Sequence, residues 1–119
     1  MTQAVAATLY NIVCDADWAG WQAAHRFRGA AVDLADGYIH LSTAAQVAAT
    51  AAKHFAERAD LVLVAVSAAA LADGLRYEPA RGGDLFPHVY GELPLAAVQW
   101  AAPLPLGADG RHLFPALDR

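Results

Sequence analysis

The chain has 119 residues, a single cysteine and a formal net charge of −4, with 57% hydrophobic and 17% charged residues. That length suits one domain with its own core, and that balance of apolar and charged side chains is the opposite of a disordered chain. One cysteine excludes an internal disulfide and a cysteine-cluster zinc site; seven scattered arginines and one lysine exclude a surface that coats DNA or RNA.

No apolar run approaches the roughly 20 residues that span a bilayer, and residues 1–8 lack the basic and long apolar stretches of a secretory signal. A cytoplasmic protein with no membrane contact is therefore expected. Residues 9–13 read as a first strand, followed by Asp15 as helix N-cap and a helix to about Ala24 with Trp18 and Trp21 on one face. Cys14 reads as a small buried hydrophobe. Residues 25–35 carry no periodic pattern, and Asp36-Gly37 is a turn that launches a strand over 38–41.

Thr43 and Gln46 have capping-box spacing, and Val47, Ala48, Ala51 and Phe55 recur at helical intervals opposite Gln46, Thr50, Lys53 and Glu57. The valine-rich run 61–66 is expected to be a central strand covered on both faces. Ser67 can cap a short turn ending at Asp73-Gly74, and 75–78 reads as the next strand, followed by a loop at 82–84. Residues 85–90 are strand-like, but Pro87 has no N–H for a ladder, which predicts an edge or bulged strand. A turn at 95–98 and a strand at 99–104 complete a core of about residues 8–104, leaving 105–119 as tail. The sequence of elements predicts one α+β domain over 1–119, with a mixed, strongly curved sheet and two main helices.

Strand parity places Tyr38, His40 and Ser42 on one face and Ile39 and Leu41 on the other. The same parity groups Phe86, His88 and Tyr90, an aromatic, imidazole and phenol surface suited to stacking on a ring and bonding a polar ligand. Ser42 can bond a ligand or simply the fold, and Thr43 reads as a cap. Glu78 can orient the imidazoles if the loop at Arg81 folds back; Glu92, on the His88 face, is the competing carboxylate. Arg81 beside two glycines can grip an anion. His25, His54 and His112 are assigned to surface or packing roles.

At Asp36-Gly37-Tyr38-Ile39-His40-Leu41-Ser42-Thr43, and again at Arg76-Tyr77-Glu78 and Phe86-Pro87-His88-Val89-Tyr90-Gly91, the chain resembles domain-of-unknown-function family 952 up to about Leu104. That family of small bacterial proteins has no established activity and looks related in fold to ADP-ribosyltransferases. The resemblance implies an ADP-ribosyltransferase-like fold, with His40 on the ribose of NAD, Ser42 or Thr43 beside it, and Tyr90 or Phe86 stacking on nicotinamide. It also implies a catalytic glutamate, for which Glu78 and Glu92 compete; His88 has no counterpart.

The leading expectation is thus a small-molecule or nucleotide pocket for NAD or an ADP-ribose-like ligand, NAD being a substrate and no metal being required. His40, His88 and Glu78 would carry the chemistry, with Ser42, Thr43, Phe86, Tyr90 and Arg81 binding. A two-histidine phosphoesterase comes second, since Ile39-His40-Leu41-Ser42 is half of that signature, although no hydroxyl residue stands two after His88. A zinc site of His40, His88 and Glu78 is third, and a non-enzymatic module docking through 86–90 is the remaining alternative. The sequence leaves the oligomeric state open.

Overall fold

A computed structural model describes residues 6–117. Its centre is the valine-rich strand expected from the sequence, β4 (Leu61–Ser67), which lies between β1 (Thr8–Cys14) and β8 (Val98–Pro103). Both pairings are antiparallel, with Tyr10 opposite Ala65 and Val64 opposite Ala101. Apolar side chains on both faces of β4 require cover on both sides, and both sides have it. On one face, Leu9, Val13, Val64 and Val66 pack with Trp21, Phe27, Ile39, Leu41, Val89 and Leu93. On the other, Tyr10, Ile12, Leu61 and Leu63 pack with Val47, Ala51 and the half-buried Phe55, and the tail contributes Phe114 and Leu117.

The first helix, α1 (Asp15–Ala24), is capped by Cys14 and not by Asp15: β1 continues one residue further than expected, and the Cys14 sulfur accepts from the Asp17 N–H at 3.4 Å. Cys14 is accordingly half-buried at a helix start instead of sealed in the core. Asp15 and Asp17 in the first turn still oppose the positive end of the helix dipole. Trp21 is fully buried, stacked on Phe27 at 5.1 Å and met edge-on by Trp18 at 5.2 Å.

Residues 25–35 are not irregular. They hold β2 (Arg26–Phe27), paired with β7 (Leu93–Pro94), and α2 (Ala31–Asp36). A two-residue strand and a six-residue helix are too short to show a period, so neither is visible as a pattern. The side chain of Asp33 reaches back to accept the Ala30 N–H at 2.7 Å, and Gly37, at φ 89°, ends the helix in the left-handed conformation that glycine tolerates.

The remaining sheet has the order β3-β6-β5, formed by β3 (Ile39–His40), β5 (Leu75–Pro79) and β6 (Leu85–Val89). β6 is the middle strand, not an edge. Pro87 is accommodated because its C=O accepts from Leu41 N–H at 2.9 Å, so its nitrogen faces Leu41, just past the end of β3. Towards β5 it sits opposite Tyr77 with neither N–H nor C=O directed at that strand, and its missing donor breaks no bond there. All strand pairings among the described residues are antiparallel, which replaces the expected mixed sheet, and three helices replace the two expected.

The third helix, α3 (Val47–His54), starts later than Thr43 because a turn intervenes, yet half of the predicted capping box forms, with Gln46 Oε1 accepting from Thr43 N–H at 3.1 Å. Of its apolar stripe, Val47 and Ala51 are buried while Ala48 faces solvent. Among the described residues no helix is long and apolar enough to cross a membrane. The end of the expected tail, residues 118–119, lies outside the described residues.

Candidate active site

The register of β3 on β6 sets His40 directly opposite His88. The strand-to-strand bonds come from their neighbours, Leu41 N–H donating to the Pro87 C=O, so the histidines form the closer, non-hydrogen-bonded type of cross-strand pair. Their ring centroids are 5.5 Å apart at an interplanar angle of 69°. Tyr38 completes the group, stacked on His88 at 4.1 Å and tilted against His40 at 4.7 Å and Tyr90 at 5.3 Å. Across β5, Arg76 lies opposite His88 and Glu78 opposite Phe86, which makes Glu78 the diagonal neighbour of His88.

Each imidazole is held by carboxylates, and the two holdings differ. His88, 4% exposed, is 2.8 Å through Nδ1 from Glu78 Oε1, which also accepts from the Tyr90 hydroxyl at 2.8 Å. A carboxylate only accepts, so Nδ1 carries the proton; Nε2 has no hydrogen-bond partner among the described residues. The bonds from His88 and then Tyr90 hold the Glu78 carboxyl below its ordinary range, and the same contact pushes the Tyr90 phenol up.

His40 meets a carboxylate at both nitrogens: Nδ1 lies 2.6 Å from Asp33 Oδ1, and Nε2 lies 2.9 Å from Asp36 Oδ2. Nδ1 donates to Asp33, and Asp36 adds an ion-pair contact at Nε2, an arrangement that favours the imidazolium. The Asp33 bond raises its pKa most; partial burial opposes this, and the charges of Asp33 and Asp36 reinforce it. Asp33 is itself buried and also accepts from the His40 backbone N–H at 3.1 Å and from Ala30 N–H, so α2 and β3 are locked around one side chain.

A cleft of about 550 Å³ opens along this arrangement, lined by His40, His88, Ser42 and Phe86 with Asp33 and Asp36, and running past Ile12 to Arg58. Ser42 is buried, with Oγ 3.0 Å from Thr50 Oγ1. Thr50 donates to the Gln46 C=O at 3.2 Å, which leaves the Ser42 hydroxyl as donor to Thr50. Glu78 and Tyr90 stand behind His88 and outside the cleft lining; Thr43 is outside it too, held by its backbone. Arg81 belongs to a 3-10 turn, Arg81–Gly83, and its side chain lies outside what the structure describes. Glu92 is paired with Arg28 at 2.9 Å and lies 3.8 Å from Arg26, whereas Glu78 bonds His88.

The sequence reading overlooked Asp33, Asp36 and the role of Tyr38; His54, assigned to a surface or packing role, is exposed and also lines the cleft. A signal for Asp36 existed: it stands four residues before His40 with a turn glycine between them, close enough for a side chain to reach back.

A model of the family described as protein of unknown function (DUF952) matches residues 12–101. The chain belongs to this family. The chain is also similar to the crystal structure of protein CC0527 from Caulobacter crescentus, with 47% identity, coverage of 89% of this chain and 93% of that one, and a TM-score of 0.85. The solution NMR structure of CC0527 gives 48% identity, coverage of 88% and 90%, and a TM-score of 0.80. No curated protein matches this DUF952 chain.

Proposed function

We propose that the cleft binds a nucleotide of the NAD or ADP-ribose type, with its ribose against His40, and that it transfers or hydrolyses the ribosyl group. The observation that carries this reading is the sign of the charge around the histidines: Asp33 and Asp36 flank His40, and Glu78 holds His88 from behind. Such a site disfavours an approaching anion and favours a reacting centre that becomes cationic, as C1′ does when its glycosidic bond breaks and the base leaves with the electron pair. His40 can hold the sugar, Phe86 gives a flat apolar wall, and Arg58, paired through two bonds with Asp60, lines the far end of the same cleft. The cleft volume is also in the range of small-ligand pockets, about 300–1,000 Å³. With it we propose the ADP-ribosyltransferase-like fold that the sequence resemblance implies.

One observation favours a second reading, a phosphoesterase. Among the described residues His88 Nε2 has no hydrogen-bond partner, and the carboxylate beside His40 raises its pKa, which offers a general base and a general acid side by side. Thermal-shift measurements separate the two. NAD or ADP-ribose at millimolar concentration should raise Tm, since a ligand of the native state stabilises it as concentration exceeds Kd, and His40→Ala should remove the shift. A protein that is silent to both nucleotides but cleaves cyclic or linear phosphodiesters, with a bell-shaped pH profile lost on replacing either histidine, would instead be a phosphoesterase.

A further inference from the structure

The two carboxylates on His40 are built differently. Asp33 has a side chain 6% exposed and three hydrogen bonds, two of them to backbone N–H groups, so it cannot leave without unmaking the start of α2. Asp36 has a side chain 45% exposed, and His40 Nε2 is its sole hydrogen-bonding or ion-pair contact among the described residues. It is the last residue of α2, with Gly37 following in the left-handed conformation, so its side chain can turn to solvent without cost to the helix. Both carboxylates line the cleft.

Asp36 Oδ2 stands 2.9 Å from Nε2 as an ion pair, so it crowds the side from which an oxygen would approach Nε2–H. A ligand oxygen that comes to accept from Nε2–H meets the negative Asp36 Oδ2 beside it and pushes it aside. We propose that Asp36 is a built-in occupant of the site: its carboxylate holds His40 Nε2 in the empty cleft, and an oxygen acceptor of the bound nucleotide displaces it. This deepens the nucleotide reading and rests on it. Asp33 is then the positioning residue, keeping Nδ1 fixed while Nε2 exchanges Asp36 for ligand. An exposed ion pair is worth up to about 1 kcal/mol, so occupation by Asp36 weakens ligand binding by up to about fivefold.

The test compares ADP-ribose affinity, by titration calorimetry, in the wild type, Asp36→Ala, Asp36→Asn, Asp33→Asn and Asp17→Asn. Asp17 lines the same cleft without contacting His40, so Asp17→Asn removes one negative charge from the lining and leaves the His40 contacts in place. Asp36→Ala should bind about three- to fivefold more tightly, Asp36→Asn should fall between it and the wild type, and Asp33→Asn should bind more weakly. Unchanged or weaker binding by Asp36→Ala overturns the proposal, as does an equal gain in Asp17→Asn, which would make the effect one of bulk charge. If no variant binds ADP-ribose, the nucleotide reading fails and acetate becomes the probe, followed through the His40 ring resonances by NMR. Acetate that shifts those resonances in Asp36→Ala but not in the wild type sustains the occupant role without the nucleotide; no difference between the two removes both.

Discussion

Replacing Asp33 by alanine takes one acceptor away from three donors, the N–H of Ala30, the N–H of His40 and the Nδ1–H of His40. The imidazole is partly exposed and can turn to water, whereas the two main-chain donors lie under a carboxylate only 6% exposed. An unsatisfied buried donor costs about 1–3 kcal/mol, and relief from burying the carboxylate offsets part of that, so a net loss of about 3 kcal/mol is expected. With a urea slope of about 1.5 kcal/mol per molar, the unfolding midpoint should fall by about 2 M. Asp33→Asn keeps one side-chain oxygen and should lose roughly half as much. Gly29 adds a constraint, because a Cβ there would stand 2.8 Å from the Asp33 Cβ, so the loop is shaped around this side chain. A midpoint for Asp33→Ala within about 0.3 M of the wild type would refute the reasoning, since it would mean that these donors find other partners at no cost.

Leu63→Ala, at a fully buried position, should cost about 2–5 kcal/mol in chemical denaturation, while Phe55→Ala at the half-exposed end of α3 should cost less than about 3 kcal/mol. Gly74→Ala should lower Tm, because the new Cβ meets the Tyr90 carbonyl oxygen at 2.7 Å where Tyr90 N–H also bonds the Gly74 C=O; Gly20→Ala, in α1 with nothing within 4 Å, should raise it. The pH dependence should have two limbs. His40 has a raised pKa, so its stabilisation is complete below the unfolded value near 6.5 and is lost as pH rises through the folded value; melts of His40→Ala should lack that alkaline limb. Glu78 is lowered, so its contribution is present above its unfolded value near 4.5 and is lost as pH falls through the folded value, an acid limb that Glu78→Gln should remove.

What the sequence revealed about the site came from local geometry. Alternation alone put Tyr38, His40 and Ser42 on one face and Phe86, His88 and Tyr90 on another, and the antiparallel register then set those faces side by side. β4 was equally legible, since an uninterrupted valine-rich run has no polar side to offer solvent. Asp33 and Asp36 were hidden because their importance depends on where α2 packs, and six residues leave no amphipathic trace. Pro87 misled for a different reason: a proline is forbidden only where its nitrogen faces a paired strand, and that depends on the register and the length of β3, neither of which is written locally. The difference between Glu78 and Glu92 was also settled by tertiary placement, the one diagonal to His88 across β5 and the other drawn to Arg28.

The two three-stranded sheets share a core, yet among the described residues their main chains are joined by a single bridge, Tyr10 N–H to the Ser42 C=O at 2.8 Å and Ser42 N–H to the Tyr10 C=O at 2.9 Å. Beyond that bridge β1, still paired with β4, runs along the cleft wall to Cys14 with no main-chain partner on its other edge among the described residues. Mechanically the molecule is two stiff plates on a two-bond joint, and its compliance concentrates where the cleft begins. Elementary opening there breaks two hydrogen bonds, whereas separating β1 from β4 breaks a seven-residue ladder. The Ser42 amide should therefore exchange with solvent sooner than that of Val64, and a ligand spanning both plates should slow Ser42 selectively, so that the width of the cleft is set by how firmly its occupant closes the joint.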